Sequence, residues 1–411
     1  MNEVQLSMPL PGRPDRTVLA VADEWFPARG GISTFNRHLC SAMAATGASV
    51  YCLVPAATEA EREDAARRRV HLVTAVRVIG GSAREALSRR PMLPAGVEPD
   101  VIIGHGRITG PSAQALAEDH FARAARLHFV HMQPDQIEWY KPNRPRDAAI
   151  RAAQRTQEEL QLGRDAKRII AVGPALHDYA VRDLTDFPDT PVPLRVDPGF
   201  DRPATTAAGP RGGIPQILVL GRMEDAEVKG LMLAARAVSH AIGTCGLVER
   251  EVELLVRGAP ENEGAELREA VVAWASRPGL RVTVRNYTEL PDLVQADILR
   301  ASLLVMPPQE EGFGLVGAEA IAAGIPVLVS DRSGLGKLLE EVLPEELVSR
   351  LVVPVRLTQD DTALWGHHIA RVLSDRAAAF ATSQRAAALL ARERTWKMTA
   401  RAVLDAADDV K

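Results

Sequence analysis

The sequence predicts an α/β protein of two domains, each built on a parallel β-sheet. Short apolar runs, each followed by a glycine or proline loop and then an amphipathic segment, recur along the chain and are typical of βαβ units. The chain has 411 residues, enough for two domains with their own cores. Residues 202–215 are rich in Pro, Gly, Ala and Thr without periodicity, which indicates a linker. We therefore expect domains over residues 1–201 and 216–393, with a cleft beside the linker.

The composition excludes several classes of protein. The formal net charge of −4 argues against a nucleic-acid binder. No apolar run approaches the length of a transmembrane helix, and residues 1–15 have neither a basic start nor an apolar centre. We read those residues as a loose tail, and expect no signal peptide and a cytoplasmic protein. The three cysteines, Cys40, Cys52 and Cys245, lack metal-ligand spacing and are expected to be reduced thiols.

The first strand is predicted over residues 17–22 and the second over residues 49–55. Between them, Gly30 and Gly31 stand directly before a helix, which is indicated by apolar residues at helical spacing: Ile32, Phe35, Leu39 and Met43. A glycine pair between a strand and a helix lets backbone amides approach a ligand closely. Such pairs are also found in plain turns, so the pair alone does not decide between the two.

Residues 56–99 carry few motifs. They are rich in Ala, Arg and Glu, and predict a strand over residues 72–79. The basic runs at 67–69 and 89–90 are read as solvated helix ends. The alternative is a basic face for an anionic lipid or a phosphorylated acceptor, that is, a peripheral membrane contact that nothing else in the sequence supports.

Two histidines end neighbouring predicted strands, over residues 99–106 and 126–135. His105 and His131 both fall at the carboxyl edge of the sheet, where open α/β sheets bind ligands. A lone histidine there is usually structural, but two in adjacent βα units favour a site. His128 points to the opposite side of its strand and is expected to be structural. A helix over about residues 111–117 and a strand over residues 168–173 are also predicted in the first domain.

The second domain is predicted to open with a strand over residues 216–221. Arg222 and Lys229 then flank an acidic turn. A guanidinium and an ammonium at a strand end suit a diphosphate, since Arg forks onto two oxygens and Lys supplies a point charge. The alternative is a surface salt-bridge turn that involves the acidic residues Glu224, Asp225 and Glu227. Further strands are predicted over residues 252–258 and 280–287.

Residues 301–330 predict a strand, a loop, a short helix stopped by Gly324, and another strand. Glu311 lies in the loop and Glu319 about one turn into the helix, so both acids are expected to face one cavity. Free amides at the positive end of the helix would hold an anion there: those of Phe313, Gly314, Leu315 and Val316. The alternative is that Glu311 is solvated and Glu319 only favours the helix dipole.

The string EEGFGLVGAEAIAAGIPVLVSDRSGL, residues 310–335, resembles the E-x₇-E signature of the retaining group-1 (family four) glycosyltransferases. The resemblance covers almost the whole chain and is strongest over residues 216–336. It implies the GT-B fold, in which two Rossmann-like doubly wound parallel-sheet domains face each other across a cleft. It also implies that a C-terminal helix, here residues 394–411, crosses back to complete the first domain.

The resemblance assigns roles to the candidate residues. Glu311 would contact the transferred sugar and Glu319 the ribose hydroxyls, while His131 would bind the sugar from the first domain. His105 is a weaker candidate near the acceptor. The phosphates and base would be bound by the remaining candidates: Arg222, Lys229, Gly30, Gly31, and Tyr287 in the segment 286–289, whose backbone would read the base. The turn between Arg222 and Lys229 is longer than the family pattern, which puts the reach of Lys229 in question.

The expected function is therefore that of a retaining glycosyltransferase that moves a sugar from a nucleoside-diphosphate sugar to an acceptor. We expect no cofactor and no metal, because the sequence has no Asp-x-Asp-type site and the cationic side chains would replace Mg²⁺. An epimerase or phosphorylase on the same fold, and a non-catalytic nucleotide-sugar-binding module, stay open as alternatives. The sequence leaves open the sugar, the base, the acceptor and the oligomeric state.

Overall fold

The computed structural model of the chain describes residues 16–27, 30–77, 79–138, 147–184, 190–244, 252–277 and 279–408, apart from the side chains of 136 and 137. The predicted N-terminal tail over residues 1–15, Cys245 and the last three residues of the predicted final helix lie outside these ranges.

The first domain contains a seven-stranded sheet in which every strand is parallel to its neighbours. The strands are β1 Thr17–Val21, β2 Ser49–Val54, β3 Val70–Thr74, β4 Val101–His105, β5 Ala125–Val130, β6 Arg168–Val172 and β7 Leu194–Val196. Their order is β3-β2-β1-β4-β5-β6-β7. The order reverses between β1 and β4, so the loops after these strands diverge and leave a crevice. The strand predicted over residues 72–79 is shorter and begins two residues earlier.

Helices cover both faces of this sheet. They are α1 Gly31–Ala45, α2 Glu59–Arg67, α3 Ala83–Leu87, α4 Gly106–Asp119, α5 Pro134–Glu138, α6 Ala148–Arg164 and α7 Pro174–Asp183. Capping boxes start α2 and α3, with Thr58 and Ser82 as the N-caps. The prediction of a helix over residues 111–117 was too short at its start, because α4 begins at Gly106 and includes Pro111. Pro111 is tolerated because it lies in the second turn, close to the start of α4, where it removes at most one helix hydrogen bond.

The second domain contains a six-stranded parallel sheet with the order β10-β9-β8-β11-β12-β13. Its strands are β8 Gln216–Leu220, β9 Glu253–Ala259, β10 Arg281–Asn286, β11 Leu303–Met306, β12 Val327–Ser330 and β13 Val352–Val353. The order reverses between β8 and β11, which places a second crevice edge opposite the first. The predicted α/β architecture of two doubly wound parallel sheets is confirmed.

The helices of the second domain are α8 Leu231–Thr244, α9 Gly264–Ala275, α10 Pro291–Arg300, α11 Leu315–Ala322, α12 Gly334–Val342, α13 Glu345–Leu351, α14 Asp360–Ser374 and α15 Arg376–Glu393. A 3₁₀ turn at Met223–Asp225 follows β8. The apolar sides of the helices pack on the two sheet faces, and their ends are capped locally, as by Ser333 at α12. No helix in the described ranges is long and apolar enough to cross a membrane.

The last helix, α16 Trp396–Ala406, returns to the first domain and packs against α1 and β7. Its attachment is close, because a Cβ on Gly199 would lie 2.2 Å from the backbone nitrogen of Trp396. Asp201 accepts a hydrogen bond of 2.6 Å from the same nitrogen. The chain segment after β7 therefore holds the start of α16 through contacts that tolerate no added atom.

The two domains meet at the carboxyl ends of their sheets. A Cβ on Gly312, in the loop after β11, would lie 2.2 Å from the carbonyl oxygen of His131, in the loop after β5. The ring of Phe313 is buried, and a Cβ on Gly173 would lie 2.5 Å from its Cδ2 atom. Glycine is required at both places because the facing domain occupies the space of a side chain.

We predict that Gly312→Ala destabilises the interface between the domains by about 1–3 kcal/mol, because the added methyl group cannot be accommodated without displacing backbone. The melting temperature, measured by calorimetry, should fall. Gly209→Ala is the matched control, since nothing lies within 4 Å of a Cβ at that position. Equal melting temperatures for the two variants would contradict the close approach.

Candidate functional site

The crevice between the two domains holds a cavity of about 230 Å³ beside the predicted sugar-contacting acid. Gln133 and Leu176 line it from the first domain, while Glu310, Glu311 and Arg332 line it from the second. The loops after β5 and β11 therefore face each other across this cavity, at the sheet edge where parallel α/β domains bind ligands.

Lys229 and Glu311 form an ion pair in the crevice, although 82 residues separate them in the chain. Their side chains remain 26% and 21% exposed. Lys229 reaches this point because the longer turn before it folds into the 3₁₀ turn, and the Lys229 amide donates to the carbonyl of Asp225 at 2.9 Å. The structure thus brings together a cation and an acid that the sequence singled out separately, and the longer turn does not prevent it.

Arg222 does not join this pair. Its guanidinium is 44% exposed and donates to Asp225 at 2.7 Å, which is the local salt bridge that the sequence allowed as the alternative. Within the described residues, no ion pair links Arg222 to Glu311 or Glu319. A ligand phosphate would have to draw the guanidinium away from Asp225, and an exposed pair of this kind is weak enough to exchange.

Helix α11 begins at Leu315, as predicted, and its N-terminus faces the glycine pair of the first domain. Gly314 precedes it with φ of 100°, and Gly30 has φ of 130°, so both positions favour glycine. The first amides of α11, those of Leu315 and Val316, have no intrahelical acceptor. A Cβ on Gly31 would lie 3.5 Å from Cδ1 of Leu315. Two helix N-termini therefore meet across the crevice and present donors to an anion.

Glu319 lies one turn into α11 and faces α1. Its carboxylate is 4.0 Å from Nε2 of His38, and the side chain is 30% exposed. Burial between the two domains disfavours the charged carboxylate and raises the pKa of Glu319 to about 7, although the crevice still admits some solvent. The positive charge of Arg37 lowers this pKa by a smaller amount. Burial lowers the pKa of His38 to about 4, and the His38 ring stacks on Trp396 at 5.0 Å. Hence His38 is neutral at neutral pH and does not form an ion pair with Glu319.

His131 and His105 lie side by side at the ends of β5 and β4. Nε2 of His131 is 2.9 Å from Nδ1 of His105, whose Nε2 is 3.0 Å from Oδ1 of Asn36. Burial lowers the pKa of His105 to about 3 and that of His131 well below its usual value. His105 is only 1% exposed, so it does not reach an acceptor as the sequence allowed. His128 pairs with buried Glu159 at 2.8 Å and is structural, as expected.

Tyr287 lies at the other end of the crevice. Its backbone amide donates to the carbonyl of Ala259 at 3.0 Å, and the carbonyl of Asn286 accepts from Arg257 at 3.0 Å. The Tyr287 amide is therefore not free to bind a base, whereas the Asn286 carbonyl keeps a second lone pair. That the backbone of residues 286–289 reads the base stays a prediction. Burial raises the pKa of the Tyr287 phenol, on which Glu24 of the first domain also acts.

A buried hydrogen-bond network behind the glycine pair was not predicted from the sequence. Arg37 on α1 donates to Asp64 on α2 through two hydrogen bonds of 2.9 and 2.8 Å, and Trp25 donates to the same carboxylate at 2.9 Å. Burial opposes ionisation of Asp64, but the hydrogen bonds from Arg37 and Trp25 outweigh it and lower the pKa to about 2. This network joins α1 to α2 and to Trp25 in the segment after β1.

Two doubly wound domains with a nucleotide-sized crevice between their strand ends define the GT-B architecture. Solved structures agree with this fold. Sucrose-phosphate synthase from Thermosynechococcus elongatus is 21% identical, with a TM-score of 0.66 over 95% of this chain and 98% of that one. Anabaena HepE, solved in complex with UDP-glucose, is 12% identical, with a TM-score of 0.66 over 96% of this chain and 100% of that one.

The chain belongs to the family described as family 4 glycosyltransferases in conflict systems, which matches residues 19–403. D-inositol 3-phosphate glycosyltransferases are among its relatives. The one from Streptomyces scabiei is 33% identical over 44% of this chain, and the one from Nocardioides sp. is 27% identical over 92% of this chain and 84% of its own length. The match spans 43% of the Streptomyces scabiei protein and 56% of that from Saccharomonospora viridis.

We predict that Glu319 makes the stability of the fold depend on pH. Because the folded-state pKa is raised from 4.5 to about 7, its favourable contribution is fully present below about pH 4.5 and is lost as the pH rises through 7. Relative to Glu319→Gln, the wild-type protein should lose on the order of 1 kcal/mol between pH 5 and 8. Calorimetry at several pH values measures this.

Exposed Glu345 provides the control, since Glu345→Gln should leave the pH dependence of the melting temperature like that of the wild type. If Glu319→Gln also follows the wild-type curve, the raised pKa is wrong.

Proposed function

We propose that this protein is a retaining glycosyltransferase that takes a sugar from a nucleoside-diphosphate sugar without a metal ion. The contact between Lys229 and Glu311 supports the proposal most directly, because a cation of the kind that binds phosphate lies beside an acid of the kind that accepts sugar hydroxyls. His131 lies on the facing wall, and the start of α11 adds backbone donors. Membership of a glycosyltransferase family supports the same assignment.

The diphosphate would replace carboxylates as the partner of the cations. Lys229 would turn from Glu311 to the phosphates, and Arg222 from Asp225. The amides of Leu315 and Val316, with the loop at Gly30 and Gly31, would complete the anion site. Once the donor is bound, these groups would lie where negative charge grows as the bond to the leaving phosphate breaks, and donors held there would lower the barrier.

The sugar and ribose would be held by the other side chains. Glu311, released from Lys229, would accept hydrogen bonds from hydroxyls of the transferred sugar, and His131 would contact that sugar from the first domain. Glu319 in its ionised form would accept both ribose hydroxyls. Tyr287 would lie beside the base, and Phe313 would support the loop from its buried position between the domains.

Transfer with retention follows from same-face attack. The bond from the anomeric carbon to the diphosphate oxygen breaks, and the acceptor oxygen bonds to the same face of that carbon. The leaving phosphate oxygen takes the acceptor proton, so that atoms and charge balance without a covalent enzyme intermediate. Closure of the two domains around the donor would exclude water and limit hydrolysis.

We predict that Lys229→Ala and Glu311→Ala each lower the transfer rate by at least ~10²-fold, since each removes a group from a preorganised site. Transfer is measured with radiolabelled UDP-glucose and an acceptor mixture, and circular dichroism checks the fold. Exposed Lys397→Ala and Glu345→Gln are the matched controls and should transfer at wild-type rates. Near-wild-type turnover in Lys229→Ala or Glu311→Ala would remove that residue from the mechanism.

A second prediction concerns the donor. UDP-glucose, which HepE binds, is the first probe, and GDP-, ADP- and TDP-glucose are its competitors. The correct donor at 100 times its Kd should stabilise the fold by ~2.7 kcal/mol, measured as a thermal shift. EDTA should change neither this shift nor the transfer rate, and the product should keep the anomeric configuration of the donor by NMR.

The same assay separates the alternatives. An epimerase would convert the donor without any acceptor, and a phosphorylase would require inorganic phosphate or a disaccharide. A binding module would give the thermal shift with no product from any acceptor. Only slow hydrolysis of the donor alone, with fast transfer when acceptor is present, fits the proposed function.

A further inference from the structure

Three side chains form a hydrogen-bonded line from the interior of the first domain to the crevice. Asn36 on α1 contacts His105, and His105 contacts His131, at 3.0 and 2.9 Å. Asn36 and His105 are each only 1% exposed. Phe35 and Phe129 pack against both rings, at centroid distances from 5.2 to 6.4 Å. The line is therefore fixed in place by close aromatic packing.

Both rings are neutral, because burial lowers the pKa of each. His128 also lowers the pKa of both rings, and it hydrogen-bonds Glu159 at 2.8 Å. A neutral imidazole carries one N–H and one bare nitrogen. When two such rings are hydrogen-bonded to each other, one donates and the other accepts. The group that is hydrogen-bonded to the inner ring therefore decides which nitrogen of each ring carries the proton.

Asn36 lies at the inner end and sets the direction. Its Oδ1 faces Nε2 of His105 and also accepts from Sγ of Cys40 at 3.5 Å, while its Nδ2 donates to Sγ of Cys52 at 3.5 Å. An amide oxygen only accepts, so Nε2 of His105 carries the proton. Nδ1 of His105 is then bare and accepts from Nε2–H of His131. The outer nitrogen of the line, Nδ1 of His131, is left without a proton.

We infer that His131 presents its bare Nδ1 to the crevice as a hydrogen-bond acceptor for one hydroxyl of the transferred sugar, with His105 and Asn36 as positioning residues that hold this tautomer. Within the described residues Nδ1 of His131 has no hydrogen-bond partner, and it is not sealed from solvent as Nδ1 of His128 is. The identity of the ligand as a sugar rests on the proposed function, whereas the tautomer does not.

A bare Nδ1 on His131 would make the site selective for a sugar that carries a hydroxyl at the facing carbon. An acceptor nitrogen discriminates between a hydroxyl, which donates, and a fluorine or hydrogen at the same carbon, which cannot. The loss of one such hydrogen bond corresponds to about tenfold in affinity or rate. Replacing the hydroxyl that faces Nδ1 of His131 with fluorine should therefore weaken binding by about tenfold, in addition to any loss at the hydroxyls that Glu311 binds.

The tautomer is tested on the whole protein without any ligand. Histidine labelled with ¹⁵N is incorporated, and the His131 and His105 signals are assigned from their disappearance in His131→Gln and His105→Phe. We expect both rings to be protonated at Nε2 and bare at Nδ1, without change between pH 6 and 8. Protonation of His131 at Nδ1, or a charged His131 ring near pH 6.5, overturns the inference.

Variants at the inner end test the positioning role. Asn36→Leu removes the acceptor oxygen at similar volume and should leave His131 as a mixture of tautomers. Cys52→Ser is the control, because its hydroxyl still accepts from Nδ2 of Asn36 and should preserve the single tautomer. Both should bind UDP within about twofold of the wild type, as should His105→Phe, which keeps an aromatic ring between Phe35 and Phe129. A single unchanged His131 tautomer in Asn36→Leu contradicts the role of Asn36.

The specificity test uses UDP-glucose and its 2-, 3-, 4- and 6-deoxyfluoro analogues in competition binding. In the wild type, fluorine should weaken binding by about tenfold at the position that faces Nδ1 of His131, and also at positions bound by Glu311. One of these losses should disappear in His131→Phe and shrink in Asn36→Leu, while UDP alone binds all three proteins equally. If the same set of losses remains in His131→Phe, the inference is overturned and the proposed function stands. If neither UDP nor any UDP-sugar binds, the proposed function fails, and the histidine spectra still decide the tautomer.

Discussion

The close approach of residue 312 to the carbonyl of His131 sets the width of the crevice, and the site depends on it. This contact joins the loop after β11 to the loop after β5 with no room for a side chain. Glu311 precedes the contact and His131 forms its other side, so the two are held on facing walls. Phe313 against Gly173 extends the same interface. The separation of the catalytic candidates is thus set by backbone packing and does not depend on the rotamers of long side chains.

Four ion pairs join charged side chains of the crevice within the protein. Lys229 pairs with Glu311, Arg222 with Asp225, Arg332 with Glu310 and Arg356 with Asp331. A phosphorylated ligand therefore exchanges one set of ion pairs for another. Its binding free energy reflects only the difference between the two sets. These pairs reduce the unpaired charge in a partly dry crevice before a ligand arrives. Under the proposed function, binding of the diphosphate would also free Glu311 for the hydroxyls of the sugar.

The two parallel sheets and the start of α11 were predictable from the sequence, because both depend on local patterns. Apolar runs followed by glycine loops identify buried strands, and Gly314 before Leu315 marks a helix start. The partners of the site residues were not predictable in the same way. Lys229 and Glu311 are 82 residues apart, and only the order of β8 and β11 in the sheet makes them neighbours.

The histidines and the base segment show where local reasoning fails. His105 is the last residue of β4 and His131 follows the last residue of β5, yet one is enclosed by Asn36 and the other borders the crevice. The strand sequences alone do not predict this difference, because it depends on Asn36 of α1, which contacts the His105 ring. The amide of Tyr287 was a candidate for reading a base, but β9 already provides its acceptor at Ala259. Tertiary hydrogen bonds of this kind cannot be predicted from the local sequence.

The return of α16 to the first domain has a consequence for biosynthesis. Trp396 rests on Phe35 and His38 of α1, so part of the first domain is supplied by residues made long after the rest of it. The nascent N-terminal half must wait with that surface of α1 uncovered while about 200 further residues are made, on the order of ten or more seconds. The first domain is therefore completed only after the second has been synthesised, and any premature stop before residue 396 would damage the half of the protein that was translated first.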